Sequence, residues 1–231
     1  MVALIETENL CRYFQQSDDI VVKAVDGINI SIEPGEFTAI IGPSGSGKTT
    51  LLHLIGGLDN PTSGDVFLSG HNIARMSPGQ LSDFRRDHIG FVFQSYNLIP
   101  VLSAEENIEY IMLLQGIDAA TRKARVAETL RQVGLSDYAD RRPSNLSGGQ
   151  QQRVAVARAM ASRPDIILAD EPTANLDSKT GIALLDVMKE LNESFGMTFV
   201  FSTHDEKIMK RASRLIHIED GRVHKDEKKS P

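Results

Sequence analysis

The chain has 231 residues, 41% hydrophobic and 24% charged, which is ordinary for a folded domain able to build a core without staples. Its 25 basic residues against 31 acids leave a net charge of −6, which excludes a global basic footprint for nucleic acid, and its single cysteine, Cys11, excludes an internal disulfide or a cysteine zinc cluster. No uninterrupted apolar run reaches the roughly 18–20 residues needed to span a bilayer, and the opening MVALIETENL lacks the basic leader of a signal peptide, so a cytosolic globular chain is expected.

In chain order, the first 35 residues read as strands with turns. Residues 24–32 (AVDGINISI) alternate apolar and polar, the pattern of a half-buried antiparallel strand. Glu33-Pro34-Gly35-Glu36 turns the chain, and FTAII at 37–41 fits a buried central strand. A helix is expected from 48 to about 55, closed by Gly56-Gly57. Residues 59–64 are turn chemistry before a strand at DVFLSG, and IGFVFQ reads as a strand ended by Gln94. From 95 to about 161 no strand pattern occurs. Ser103-Ala104-Glu105-Glu106 opens a helix through Leu114, and a second runs from about 119 to 133. Strands at 166–169 and 198–202 flank a helix at 180–191, the alternation of a parallel sheet. The end is a hairpin around Asp220-Gly221 and a tail, KDEKKSP, expected to be solvated and frayed. There is no internal repeat, so one nucleotide-type core is expected, with 95–161 as an inserted helical subdomain.

Gly42-Pro43-Ser44-Gly45-Ser46-Gly47-Lys48-Thr49 matches G-x-x-x-x-G-K-[ST] between an expected strand and helix. Glycines let successive N–H groups curl around phosphate oxygens, and the helix N-terminus adds a favourable dipole. Lys48 would reach the β- and γ-phosphates, and the Thr49 hydroxyl would ligate Mg²⁺. The strand at 166–169 delivers Asp170 and Glu171 to the sheet edge where open α/β folds bind ligands. Asp170 would hold Mg²⁺ opposite Thr49, and Glu171 would polarise an attacking water. Ser147-Gly148-Gly149-Gln150 begins another helix and is a second anion-site candidate. His53, His71, His88, His217 and His224 show no metal-ligand spacing.

The succession GPSGSGKT, IGFVFQ, LSGGQQQR, ILADE, Ala174-Asn175-Leu176-Asp177 and His204 in STHD resembles ABC-transporter nucleotide-binding domains over essentially the whole chain. GGLDNPTSGDV and LADEPTANLD look most like the lipoprotein-release and macrolide-export subfamily. The resemblance implies an α/β fold of the P-loop NTPase class: a RecA-like core with an N-terminal antiparallel β layer (1–94 and 162–231) and the helical insertion at 95–161. It implies an ATPase with ATP and Mg²⁺ as cofactors, working as a homodimer. In that dimer the phosphate loop of one copy, Thr50 included, faces Ser147, Gly148, Gly149 and Gln150 of the other. Gln94 is expected to touch Mg²⁺ or the lytic water and His204 to bind the γ-phosphate. Asp177 is expected to cross the dimer, although it is also a good helix N-cap. Phe14 falls where the family stacks adenine, with Tyr13 the neighbour able to substitute. The partners implied are integral-membrane permease subunits and no nucleic acid, with the chain peripheral at the cytoplasmic face of the plasma membrane. An ATP-driven transmembrane signalling regulator of the cell-division type is the alternative.

Overall fold

The computed structural model describes residues 3–17 and 20–229. Two sheets share the work. An antiparallel layer joins β1 (Ile5–Ser17), β2 (Ile20–Ile28), β3 (Ser31–Ile32), β5 (Ser63–Leu68) and β6 (His71–Asn72) in the order β2-β1-β5-β6, with β3 also on β1. The second sheet runs β11-β10-β4-β9-β8-β7. In it β4 (Phe37–Ile41), β7 (Ile89–Val92), β8 (Ile166–Asp170), β9 (Thr198–Thr203) and β10 (Arg214–Glu219) are mutually parallel, and β11 (Arg222–Lys228) closes the edge antiparallel to β10.

Period-2 alternation decides which core each side chain enters. On β4, Phe37, Ala39 and Ile41 join a core packed by the helices, while Ile40 joins one shared with the antiparallel layer. The first core is covered by α3 (Ala104–Leu114), α4 (Ala119–Gln132), α5 (Gly148–Ala161) and α6 (Ser178–Phe195). The second holds α1 (Lys48–Ile55) and α2 (Pro78–His88), and α7 (Glu206–Arg211) follows β9. Between 95 and 161 there are only α3, α4, α5 and short 3₁₀ turns. Helix α5 packs on α3 and also against β7. Gly90 is required there, because a Cβ at that position would lie 2.5 Å from the Ala159 carbonyl oxygen.

Three readings are corrected and one helix is added. The strand expected at 24–32 is β2 and β3, broken at Asn29-Ile30, where the Thr7 hydroxyl donates to Ile28 O and accepts from Ile30 N. The alternation still named the inward residues, since Ile28, Ile30 and Ile32 are all buried. The tail is not frayed through Lys228: β11 pairs with β10, Arg214 grips Asp226 through two nitrogens at 2.7 and 2.8 Å, and Lys228 Nζ is 2.9 Å from Glu36. Ser230 and Pro231 lie outside the described residues. Strand β7 stops at Val92, so Gln94 lies in the following turn and does not end the strand. Helix α2, not foreseen, starts with a Ser77–Gln80 capping box and Pro78 in its first turn.

Candidate functional site

The C-terminal ends of β4, β8 and β9 bring three segments of the chain together. After β4 the backbone turns through Gly42, Gly45 and Gly47 at φ 155, 80 and 103°, all in the region that favours glycine. Space is equally restrictive: a Cβ on Gly47 would lie 2.0 Å from Ala24 O, and one on Gly42 2.1 Å from Ile218 O. The loop apex, Pro43, Ser44 and Gly45, is exposed. Gly221 N, in the β10–β11 turn, braces it from below by donating to Ser46 O at 3.0 Å.

Lys48 is 8% exposed, and its ammonium donates to Gly42 O at 2.9 Å and Pro43 O at 2.8 Å. No carboxylate among the described residues pairs with it. The Ser46 hydroxyl is buried without a hydrogen-bond partner, and α1 begins at Gly47 with no side-chain cap. A buried cation, an orphaned hydroxyl and an open helix N-terminus together form a cradle whose donors suit a polyphosphate. Thr50 follows on α1, half-buried.

Thr49 Oγ1 donates to Asp170 Oδ1 at 2.9 Å. A hydroxyl and a carboxylate beside a phosphate cradle are the hard oxygen ligands that Mg²⁺ takes together with substrate phosphates. Among the described residues no group of three or more His, Cys, Asp or Glu could hold a metal without such help. Glu171 has φ 45°, an unusual value for a non-glycine residue. Its N–H donates to Ser202 O at 2.9 Å, Oε2 accepts from the Thr203 hydroxyl at 3.1 Å, and Oε1 lies 2.6 Å from His204 Nδ1. An ionised carboxylate only accepts, so this contact is a hydrogen bond only with the proton on Nδ1, on a ring that is 76% exposed.

The remaining expected residues are placed elsewhere or are already engaged. Gln94 is exposed, and its carbonyl accepts from Asn175 Nδ2 at 3.0 Å. Ser147 caps α5, its hydroxyl accepting from Gln150 N at 3.3 Å while Gln150 Oε1 accepts from Ser147 N at 2.8 Å. Gly148 and Gly149 also serve packing, since Cβ atoms there would meet Tyr96 Oη at 2.8 Å and Thr180 Cγ2 at 2.2 Å. No hydrogen bond among the described residues joins this motif to the phosphate loop. Asp177 caps α6, accepting from the Thr180 hydroxyl and the N–H groups of Thr180 and Lys179, and these bonds hold its carboxyl below the usual range. Tyr13 is committed to Asp26 Oδ1 at 2.5 Å, which pushes its phenol far above its ordinary pKa. Phe14 is 40% exposed, with the Arg12 guanidinium 4.5 Å from its ring centroid, so it is the aromatic with a surface to offer.

Sequence reasoning missed two side chains of α5, Gln152 and Arg158, which reach the turn after β7. The signal available was a glutamine on an otherwise apolar face with Ala155, Val156 and Ala159.

A family model described as ABC transporter matches residues 25–174. An uncharacterized ABC transporter ATP-binding protein of Thermotoga maritima is 49% identical over 205 residues, covering 89% of this chain and 87% of its own length. The macrolide export ATP-binding/permease protein MacB of Hyphomonas neptunium is 45% identical over 96% of this chain, which spans only 34% of the MacB protein. The dimeric structure of the Methanocaldococcus jannaschii cassette MJ0796, in a post-hydrolysis state bound to ADP and Pi, superposes with a TM-score of 0.90 at 42% identity, over 98% of this chain and 99% of that one.

Proposed function

Because the chain belongs to the ABC transporter family of ATP-binding proteins and is an ABC ATPase domain, we propose that it closes as a head-to-tail homodimer around two Mg²⁺–ATP and thereby drives a membrane permease. The work is of the export or lipoprotein-extraction type. The carrying observation is the cradle in which Lys48, buried on two carbonyl oxygens, adjoins the unpartnered Ser46 hydroxyl and the uncapped start of α1.

In this reading Lys48 exchanges its carbonyl partners for β- and γ-phosphate oxygens, and residues 42–50 enclose the phosphates with backbone N–H groups. Thr49 and Asp170 would hold Mg²⁺, with Gln94 as a further oxygen donor, and the ion would neutralise charge on the phosphates. Glu171 accepts the proton of the attacking water, and His204, at 2.6 Å, orients that carboxylate and reaches the γ-phosphate. Phe14 stacks the adenine. Ser147, Gly148, Gly149 and Gln150 of the second copy close the site, with Asp177 beside the interface.

No helix among the described residues is long and apolar enough to cross a membrane. The permease is therefore assigned to other polypeptide, as the name of the MacB relatives suggests for the two thirds of their length that this chain does not span. A groove of about 610 Å³ lined by Leu58, Phe91, Tyr110 and Leu114 offers its cytoplasmic segment an apolar seat, which would place the chain peripherally at the inner face of the plasma membrane.

Titration with a fluorescent ATP analogue tests the cradle. Lys48→Ala is expected to lose charge-assisted bonds of roughly 1.5–3 kcal/mol each, so affinity falls at least about tenfold while the melting curve stays cooperative. Unchanged affinity in a folded variant would mean that nucleotide binds elsewhere.

A further inference from the structure

Helix α5 holds the turn after β7 at three carbonyl oxygens. Gln152 Nε2 donates to Phe93 O at 3.3 Å and to Pro172 O at 2.9 Å, just past Glu171. Arg158 donates from Nη1 to Asn97 O at 2.5 Å and from Nη2 to Tyr96 O at 3.0 Å. Tyr96 and Asn97 are both non-glycine residues in the left-handed region, at φ 60 and 50°. Asparagine enters that region readily, but tyrosine persists there only where its surroundings hold it. The β7–β8 ladder has already stopped at Val92, so the sheet does not supply that hold. The rest of the loop also follows helices, because buried Asn107 of α3 donates to Ile99 O, Leu102 O and Ser103 O and accepts from Ile99 N.

Arg158 is an odd choice for a merely structural bond. No carboxylate among the described residues pairs with it, and burial alone lowers its pKa from the ordinary arginine value. A desolvated cation needs strong partners, and here both are backbone oxygens of the same strained turn. Its side chain also lines the 610 Å³ groove beside Phe93 and Asn97.

We propose that Arg158 is a positioning residue that binds the turn carrying Gln94 to the helix beginning at Ser147, so that this turn is held by α5 and not by the β7–β8 ladder. The inference rests on the reading of Gln94 as part of the nucleotide site.

The chain contains no tryptophan, so Phe93→Trp supplies a single indole next to the turn. In that background Arg158→Gln is expected to lower ATP turnover about 10- to 100-fold, the scale at which small misplacements are felt. Affinity for the fluorescent nucleotide should stay within about threefold of the parent, and acrylamide should quench the indole more strongly. Arg158→Lys, which keeps a donor for these carbonyls, should fall between the two. Unchanged turnover in Arg158→Gln overturns the proposal, as does an equal loss of turnover and affinity with unchanged quenching. Should Arg158→Gln fail to fold, Arg158→Lys carries the same readouts: partial loss of turnover with intact affinity supports the coupling, and wild-type turnover and quenching overturn it. Gln94→Ala run alongside separates the two failures. If it turns over normally, the reading of Gln94 is wrong; if it is slow while Arg158→Gln is not, only the coupling is wrong.

Discussion

Glu171 combines a strained backbone, two side-chain acceptor bonds and a side chain only 15% exposed, so its carboxylate is held in place before any substrate arrives. Preorganisation of that kind is what a general base requires. Glu171→Gln keeps the shape but cannot take a proton, and turnover is expected to fall about 10²- to 10⁴-fold with nucleotide affinity retained. Single-turnover assays on the pure variant check this, and hydrolysis at the parent rate would remove Glu171 from the base role. The neighbouring His204 tautomer gives a second expectation. With Nδ1–H donated to Glu171, His204→Asn can keep an N–H donor where His204→Ala cannot, so the asparagine variant should retain more turnover. Equal loss in both would show that the Nδ1 bond has no part in turnover. At this scale the sequence was legible wherever chemistry is local. Lys48, Thr49, Asp170 and Glu171 follow from a strand-loop-helix motif and a strand end, and three dimensions add their partners: Asp170 for Thr49, two carbonyl oxygens for Lys48, and Thr203 and His204 for Glu171. Arg158 was illegible because its partners lie about sixty residues earlier and are backbone oxygens, which leave no trace in side-chain chemistry, whereas Gln152 left only its place on an apolar helix face.

Among the elements, β11 departs most from expectation, and electrostatics explains why. A run of lysines and acids looks like a solvated tail, yet alternate charges along it meet fixed partners: Asp226 on Arg214, and Lys228 on Glu36. Arg214 is 6% exposed and also donates to Ser31 O and Glu36, so it ties both sheets and the terminal strand together. Burial would raise the Glu36 carboxyl, but Lys228 and Arg214 outweigh it and hold the pKa below the ordinary glutamate value. A depressed carboxylate gives stability that is present above the unfolded pKa and lost as pH falls through the folded one, so Glu36 contributes fully at neutral pH and loses that contribution as pH falls below the ordinary glutamate value and through its lower folded one. Arg214→Ala leaves Glu36 without its guanidinium, so it is expected to cost about 3 kcal/mol at pH 7 and to move the onset of acid unfolding upward. Urea melts between pH 3 and 7 measure both, and an unshifted acid limb would contradict this account of the strand. The missed helix α2 has a different cause. Its capping box was written in Ser77 and Gln80, but only Leu81 and Phe84 are buried, too few to mark an amphipathic face.

At the scale of the whole molecule, one chain assembles the phosphate cradle and the Thr49–Asp170 and Glu171–His204 pairs, but among the described residues no hydrogen bond joins its Ser147 motif to them. In the proposed dimer a second copy placed head to tail would supply what the first lacks, and ATP would favour the closed state in proportion to how much better that state holds it. The measurement that tests this most directly is a disulfide between two differently tagged chains, one Ser44→Cys and one Ser147→Cys, both with Cys11→Ser. Ser44 is exposed at the loop apex whereas Ser46 is buried, and Ser147 is exposed whereas a Cβ at Gly148 would strike Tyr96. The account predicts that the mixed-tag disulfide forms and rises with ATP under mild oxidation. Only like-with-like crosslinks, or none while the fluorescent nucleotide is bound, would contradict it.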